Sequence, residues 1–140
     1  MTMSNMTTGG CLCGNYSYEF DRDQVISAHH CHCKDCQTMT GSGKATIIMV
    51  PTDGLSTEGE LTTYTVTGSE GAHVTRGFCG KCGCQLISYV EEMPAIRLIK
   101  AGALADSSWV KIDSSFWSCS AEPWSPIDSG LPAFEKNPSM

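Results

Sequence analysis

Basic residues are scarce in this chain. Lys plus Arg number 9 against 15 Asp plus Glu, a formal net charge of −6 over 140 residues. A nucleic-acid or anionic-membrane partner asks for a basic face, so neither is expected. Long apolar runs are missing as well. The longest, residues 47–51, falls far short of the roughly 20 residues that a membrane span needs. The first ten residues, Met-Thr-Met-Ser-Asn-Met-Thr-Thr-Gly-Gly, contain neither the basic stretch nor the apolar core of a secretory signal, and a cytoplasmic location is expected. With 17 % of residues charged and 41 % hydrophobic, the composition is that of a folded protein and not of a disordered acidic tail. The length fits one domain, read over residues 1–140.

Cysteine is what the chain has in plenty. Nine cysteines are about 6 % of the residues, below the roughly 8–10 % of a disulfide scaffold yet too many to be incidental. An odd number cannot pair off completely, and in a reducing compartment a Cys-rich pattern points to metal or catalysis. The cysteines cluster. Cys11 and Cys13 form C-x-C, Cys31, Cys33 and Cys36 form C-x-C-x-x-C, and Cys79 and Cys82 form C-x-x-C followed by Gly83. Two intervening residues let a pair of thiolates converge on one ion, and the glycine accepts the left-handed backbone of the tight turn. The spacing suggests one closed site of four thiolates and one open site of three, the form of a reactive zinc centre. Which clusters combine is left open by spacing. A closed Cys3His site completed by His29, His30 or His32, an iron site and disulfides are the competing arrangements. C-x-C makes a poor disulfide, and ferredoxin spacing and the zinc-deaminase signature are both absent. Cys84 and Cys119 are expected to be small buried apolar residues.

Between the clusters, apolar residues alternate, the mark of strands. Strands are expected at 15–20, 25–30, 45–50, 60–66, 73–78, 85–90, 96–101 and 110–118. Turn chemistry separates them at 51–54, 68–71 and 80–83. The one helix expected before residue 100 is a short one at 34–39. Pro123, Pro126, Pro132 and Pro138 make the tail irregular, with Trp124, Leu131 and Phe134 as its anchors. The fold class expected is mainly β.

Several segments together are familiar: Gly9-Gly10-Cys11-Leu12-Cys13-Gly14, His30-Cys31-His32-Cys33-Lys34-Asp35-Cys36, Thr40-Gly41-Ser42, and Phe78-Cys79-Gly80-Lys81-Cys82-Gly83. Ala101-Gly102-Ala103-Leu104, Pro123-Trp124 and Ile127-Asp128-Ser129-Gly130-Leu131-Pro132-Ala133-Phe134 follow in order. Over roughly residues 9–134 the chain resembles the glutathione-dependent formaldehyde-activating enzyme family, which shares its domain with centromere protein V. The resemblance implies a single zinc-stabilised domain of several small curled antiparallel sheets, a β-tent, and two zinc ions per chain. Cys11, Cys13, Cys79 and Cys82 would hold a structural zinc. Cys31, Cys33 and Cys36 would hold the catalytic zinc. The implied activity is a carbon–sulfur lyase reaction, the reversible joining of formaldehyde and glutathione to S-(hydroxymethyl)glutathione.

The chain departs from the family pattern at Ala105-Asp106-Ser107, at Ser115, where many members carry His, and at Ser120-Ala121. Two other readings stand beside the lyase: a non-catalytic zinc module that binds another protein, and a thiolate redox or zinc sensor. On the lyase reading, His30, His32 and Asp35 are the candidates to move the proton. Glutathione is an anion, and Lys34, Lys44, Arg76 and Lys81 are the cations expected to receive it.

Overall fold

The computed structural model describes residues 5–138. Among them are ten strands, one α-helix and four short 3-10 turns, grouped in two compact units. The first unit takes the described residues up to Ile26 together with Ile48–Trp109. The second takes Ser27–Ile47 and the described residues from Val110 onward.

The first unit carries two sheet arrangements. In one, β2 (Ser17–Asp21) lies between β1 (Met6–Gly10) and β5 (Ser56–Glu58). Tyr18 and Phe20 of β2 are buried and Ser17 and Glu19 exposed, the period-two pattern of a half-buried strand. Each such aromatic contributes about 1.5–3 kcal/mol on burial. In the other, the order is β6 (Thr62–Thr67), β7 (His73–Phe78), β8 (Gln85–Val90), β9 (Ile96–Lys100), and then β4 (Ala45–Pro51). Leu86, Ile99 and Ile48 are fully buried there. β4 is the most apolar strand of the chain, and its residues are divided between the units.

The second unit holds β3 (Ser27–Cys31), the start of β4, the helix α1 (Lys34–Thr40) and β10 (Ser114–Phe116). β10 runs parallel to β3, with Ser115 opposite His30 and Phe116 opposite Cys31. Antiparallel pairing was the expectation throughout. A parallel neighbour needs a long crossover, which the intervening chain provides here, and spacing along the sequence does not reveal it.

The expected strands 73–78 and 85–90 agree with β7 and β8, and 45–50 and 96–101 with β4 and β9 to one residue. The helix at 34–39 extends one residue further. β1 and β5 were not foreseen, since Met-Thr-Thr-Gly-Gly and Ser-Thr-Glu have no apolar alternation to read. The strand expected at 110–118 shrinks to Ser114–Phe116. The tail is irregular as expected, but of its expected anchors Trp124 needs correction, while Leu131 is half-buried. Trp124 is 66 % and Phe134 37 % exposed. Phe134 nonetheless packs edge-on against Phe116, ring centroids 5.8 Å apart, and main-chain bonds add to the hold: Ser115 N–H donates to the Pro132 carbonyl at 3.0 Å, Phe134 N–H to that of Ser115 at 2.8 Å, and Trp117 N–H to that of Lys136 at 3.1 Å. Among the described residues no helix is long and apolar enough to cross a membrane.

Candidate metal centres

The first unit brings Cys11, Cys13, Cys79 and Cys82 together, with their four Sγ atoms all within 4.8 Å of one another. Two loops build this cluster. In the first, Tyr16 N–H donates to Cys11 Sγ at 3.3 Å and Cys11 N–H to the Tyr16 carbonyl at 3.1 Å. In the second, Lys81 and Cys82 N–H groups point at Cys79 Sγ at 3.4 and 3.5 Å, and Gly83 N–H closes on the Cys79 carbonyl at 2.8 Å. Gly14 and Gly83 end these loops at φ of 78° and 75°, a region that costs other residues about 1–2 kcal/mol. The main chain thus directs N–H donors at the sulfurs, which favours thiolate over thiol.

The thiols disagree when left to themselves. Main-chain N–H groups at Cys13 and Cys84 hold the Cys82 thiol down to about 6. The Asn15 N–H pulls Cys13 the same way, but the neighbouring Cys79 thiol and burial outweigh it and push Cys13 up to about 11. Four negative sulfurs this close require a cation among them. Four thiolates in a compact set fit a tetrahedral zinc.

The second unit gathers Cys31, Cys33 and Cys36, again with Sγ atoms within 4.8 Å. Cys31 ends β3. Cys33 is the N-cap of α1, its Sγ accepting from the Cys36 N–H at 3.3 Å. Cys36 lies one turn in. The thiols of Cys33 and Cys36, then burial, push the Cys31 thiol up, so this set too asks for a cation. Gln37, 6 % exposed, locks the loop: its Nε2 donates to the His32 carbonyl at 2.9 Å and to the Ser120 carbonyl at 3.0 Å. No spacing argument singled out Gln37, because an amide in the first turns of a short helix looks like a surface residue.

None of the three histidines joins the three thiols. His29 stacks on Phe116 with ring centroids 3.6 Å apart. His30 Nδ1 is 2.9 Å from Thr46 Oγ1, and burial, then Lys44 and His32, lower its pKa. His32 is fully enclosed, with neither ring nitrogen in a well-formed hydrogen bond, and burial then Lys44 lower its pKa. Asp35 is exposed. All nine cysteines are unbridged. Cys84 is half-buried beside the four-thiol set, whereas Cys119 is exposed, which corrects the expectation that it is buried. It follows Ser118 in a 3-10 turn that the short β10 leaves at the surface. A further group escaped the sequence reading: His73, Glu91 and Glu92, all exposed, converge where β7 begins and β8 ends. Of the four cations named from sequence, Lys34 and Lys81 are exposed, Lys44 is half-buried and Arg76 is buried.

A family model described as glutathione-dependent formaldehyde-activating enzyme matches residues 6–120, a stretch that includes all seven clustered cysteines. No curated protein matches the chain. Among solved structures, a Rhodobacter sphaeroides protein determined by a structural-genomics effort is similar in fold. It is 18 % identical, with a TM-score of 0.57, over 91 % of this chain and 98 % of that one.

Proposed function

Because the chain belongs to the glutathione-dependent formaldehyde-activating enzyme family, we propose that it is a zinc-dependent carbon–sulfur lyase acting on adducts of a small thiol with an aldehyde. The substrate we assign is S-(hydroxymethyl)glutathione, made reversibly from glutathione and formaldehyde. The observation that carries the reading is the contrast between the two cysteine sets. One has four converging thiols, and the other has three with no histidine among them. On this reading Cys11, Cys13, Cys79 and Cys82 hold a structural zinc, and Cys31, Cys33 and Cys36 a catalytic one.

A zinc ion on three thiolates supplies, when bound, a soft Lewis acid with an open position for the substrate sulfur. In the joining direction the sulfur–carbon bond forms, the aldehyde π bond opens, and the thiol proton ends on the new hydroxyl oxygen. The chain's own residues fix the geometry for this. The α1 cap holds Cys33, and Gln37 holds the main chain between Cys31 and Cys33. Of the three proton carriers considered, His32 is enclosed and Asp35 exposed. His30 has Nδ1 committed to Thr46 and keeps Nε2 to exchange a proton with the hydroxyl. Nine unbridged thiols suit a reducing compartment, and the cytoplasm is part of the proposal.

Exchange NMR on mixed formaldehyde and glutathione tests it. The zinc-loaded protein should speed the exchange between free formaldehyde and adduct, and Cys36→Ala should abolish that gain while the chain stays folded. Exchange no faster than the uncatalysed addition would remove the lyase reading and favour the interaction-module or sensor alternatives.

A further inference from the structure

The first unit holds a cavity of about 280 Å³ against one face of the β6–β9 sheet. Register fixes which face. Thr63 of β6 lies opposite Gly77 of β7, Gly77 opposite Ile87 of β8, and Ile87 opposite Ile99 of β9. Tyr89, two residues after Ile87, and Arg97, two before Ile99, share that face. The Arg97 guanidinium confirms it by lying over the Tyr89 ring, 4.3 Å from the centroid. The facing wall is made by Tyr16 and by Leu55 and Thr57 at the start of β5. Gly77 has no side chain, so Leu61 settles onto the sheet as the back wall: a Cβ at this glycine would meet Leu61 Cδ1 at 2.7 Å.

The interior is closed and the mouth is open. Tyr16, Gly77 and Ile87 are buried, whereas Thr57 and Thr63 at the rim are exposed. A dry apolar cavity of about 150 Å³ takes benzene, so this one has room for a single ring with a small group attached. Arg97 decides what that group is. The guanidinium is fixed in place, its Nη1 donating to the carbonyls of Pro94 at 3.3 Å and Ile96 at 3.2 Å. Thr52, another wall residue, donates to the same Pro94 carbonyl at 2.7 Å. Nε and Nη2 of Arg97 have no partner among the described residues. That unused edge of the planar fork matches a carboxylate in bidentate fashion. A pre-positioned cation beside an apolar hollow selects an anion with an apolar body, and it does so in a chain where acids outnumber bases.

We propose that this cavity binds a small monocarboxylate with one apolar ring. The carboxylate sits on Arg97 and the ring lies inside, against Ile87, Leu55 and Leu61. The site goes beyond the thiol chemistry proposed above and calls on none of the clustered cysteines.

Isothermal titration of the zinc-loaded full chain with benzoate, benzyl alcohol and acetate tests it. Benzoate should bind. Benzyl alcohol, which keeps the ring without the charge, and acetate, which keeps the charge without the ring, should each bind at least about tenfold more weakly, because charge-assisted pairing and apolar burial are both needed. Arg97→Gln should weaken benzoate about tenfold and leave benzyl alcohol unchanged, since it removes only the charged fork. Arg97→Lys keeps the charge without the fork and should weaken benzoate several-fold. Thr63→Trp, a change at the exposed rim, should block both ring compounds. Lys111→Gln, a change of an exposed cation elsewhere, should alter nothing. No binding of benzoate, equal binding of benzyl alcohol or acetate, or benzoate binding untouched by the Arg97 and Thr63 variants would overturn the proposal. Benzoate carries no sulfur, so zinc content and formaldehyde exchange rates in the same samples report separately on the lyase reading.

Discussion

Gln37 shows how much one buried side chain can decide. Its amide nitrogen holds the carbonyl of His32, the residue between two of the three clustered cysteines, and the carbonyl of Ser120 near the tail. Gln37→Leu fills much of the same volume but leaves both carbonyls without their donor. Unsatisfied buried polar groups cost about 1–3 kcal/mol each, so a loss of about 2–4 kcal/mol is expected in urea unfolding. Gln37→Glu is the sharper variant. It preserves size more closely than Leu, yet it places carboxylate oxygens against two carbonyls and should be at least as destabilising. Metal on Cys31, Cys33 and Cys36 should leave faster in both variants when challenged with a chelator. A Glu variant as stable as the parent would show that volume, not the donor, is what matters at this position.

At the scale of the element, the C-x-x-C-G loop between β7 and β8 is where backbone conformation and metal affinity meet. Gly83 sits at φ 75° with open space where a Cβ would be. Gly83→Ala therefore pays only the backbone strain, about 1–2 kcal/mol, seen as a lower midpoint in thermal unfolding of the metal-loaded chain. Gly83→Asn should lose less, since asparagine tolerates this region. The other ends of the same two strands meet at His73 and Glu92, joined at 2.7 Å. The Glu92 carboxylate raises the His73 pKa, and His73 in turn lowers that of Glu92. The histidine contribution is complete below its ordinary value of about 6.5 and is lost as pH rises through the raised one. The glutamate contribution is complete above its ordinary value of about 4.3 and is lost as pH falls through the depressed one. The pair thus acts fully in the mildly acidic window between them. His73 should titrate above an ordinary histidine by NMR, and Glu92→Gln should return it there. Elements of this kind divide by legibility. β7, β8 and the three cysteine clusters could be read in sequence because alternation and thiol spacing are local, and α1 was placed to within one residue. The parallel β10–β3 pair and the His73–Glu92 pair could not, because each depends on which strands lie side by side. β1 and β5 lacked any signal, being polar or glycine-rich edges.

For the whole molecule, metal loading reverses a simple intuition about charge. The formal −6 treats every cysteine as neutral. On the proposed two-zinc assignment, seven thiolates would carry more negative charge than two zinc ions carry positive, so the loaded chain would be more acidic than the stripped one. Removing dications should make it elute earlier, not later, from an anion exchanger at neutral pH. Native mass spectrometry should find two zinc ions per chain, and chelator titration should release them in two phases. The three-thiol set should empty first, although Cys31 and Cys36 are buried and Cys13 is exposed. An open coordination position lets a chelator attach before any thiolate leaves, whereas a closed set of four must first give one up. The first phase should leave far-ultraviolet circular dichroism unchanged. The second should unfold the chain, since a structural zinc contributes on the order of 10 kcal/mol or more. Variants assign the phases: Cys36→Ala should delete the first and Cys82→Ala should prevent stable folding. Loss of secondary structure in the first phase, or the same behaviour from both variants, would show that the structural and catalytic roles are assigned to the wrong cysteines.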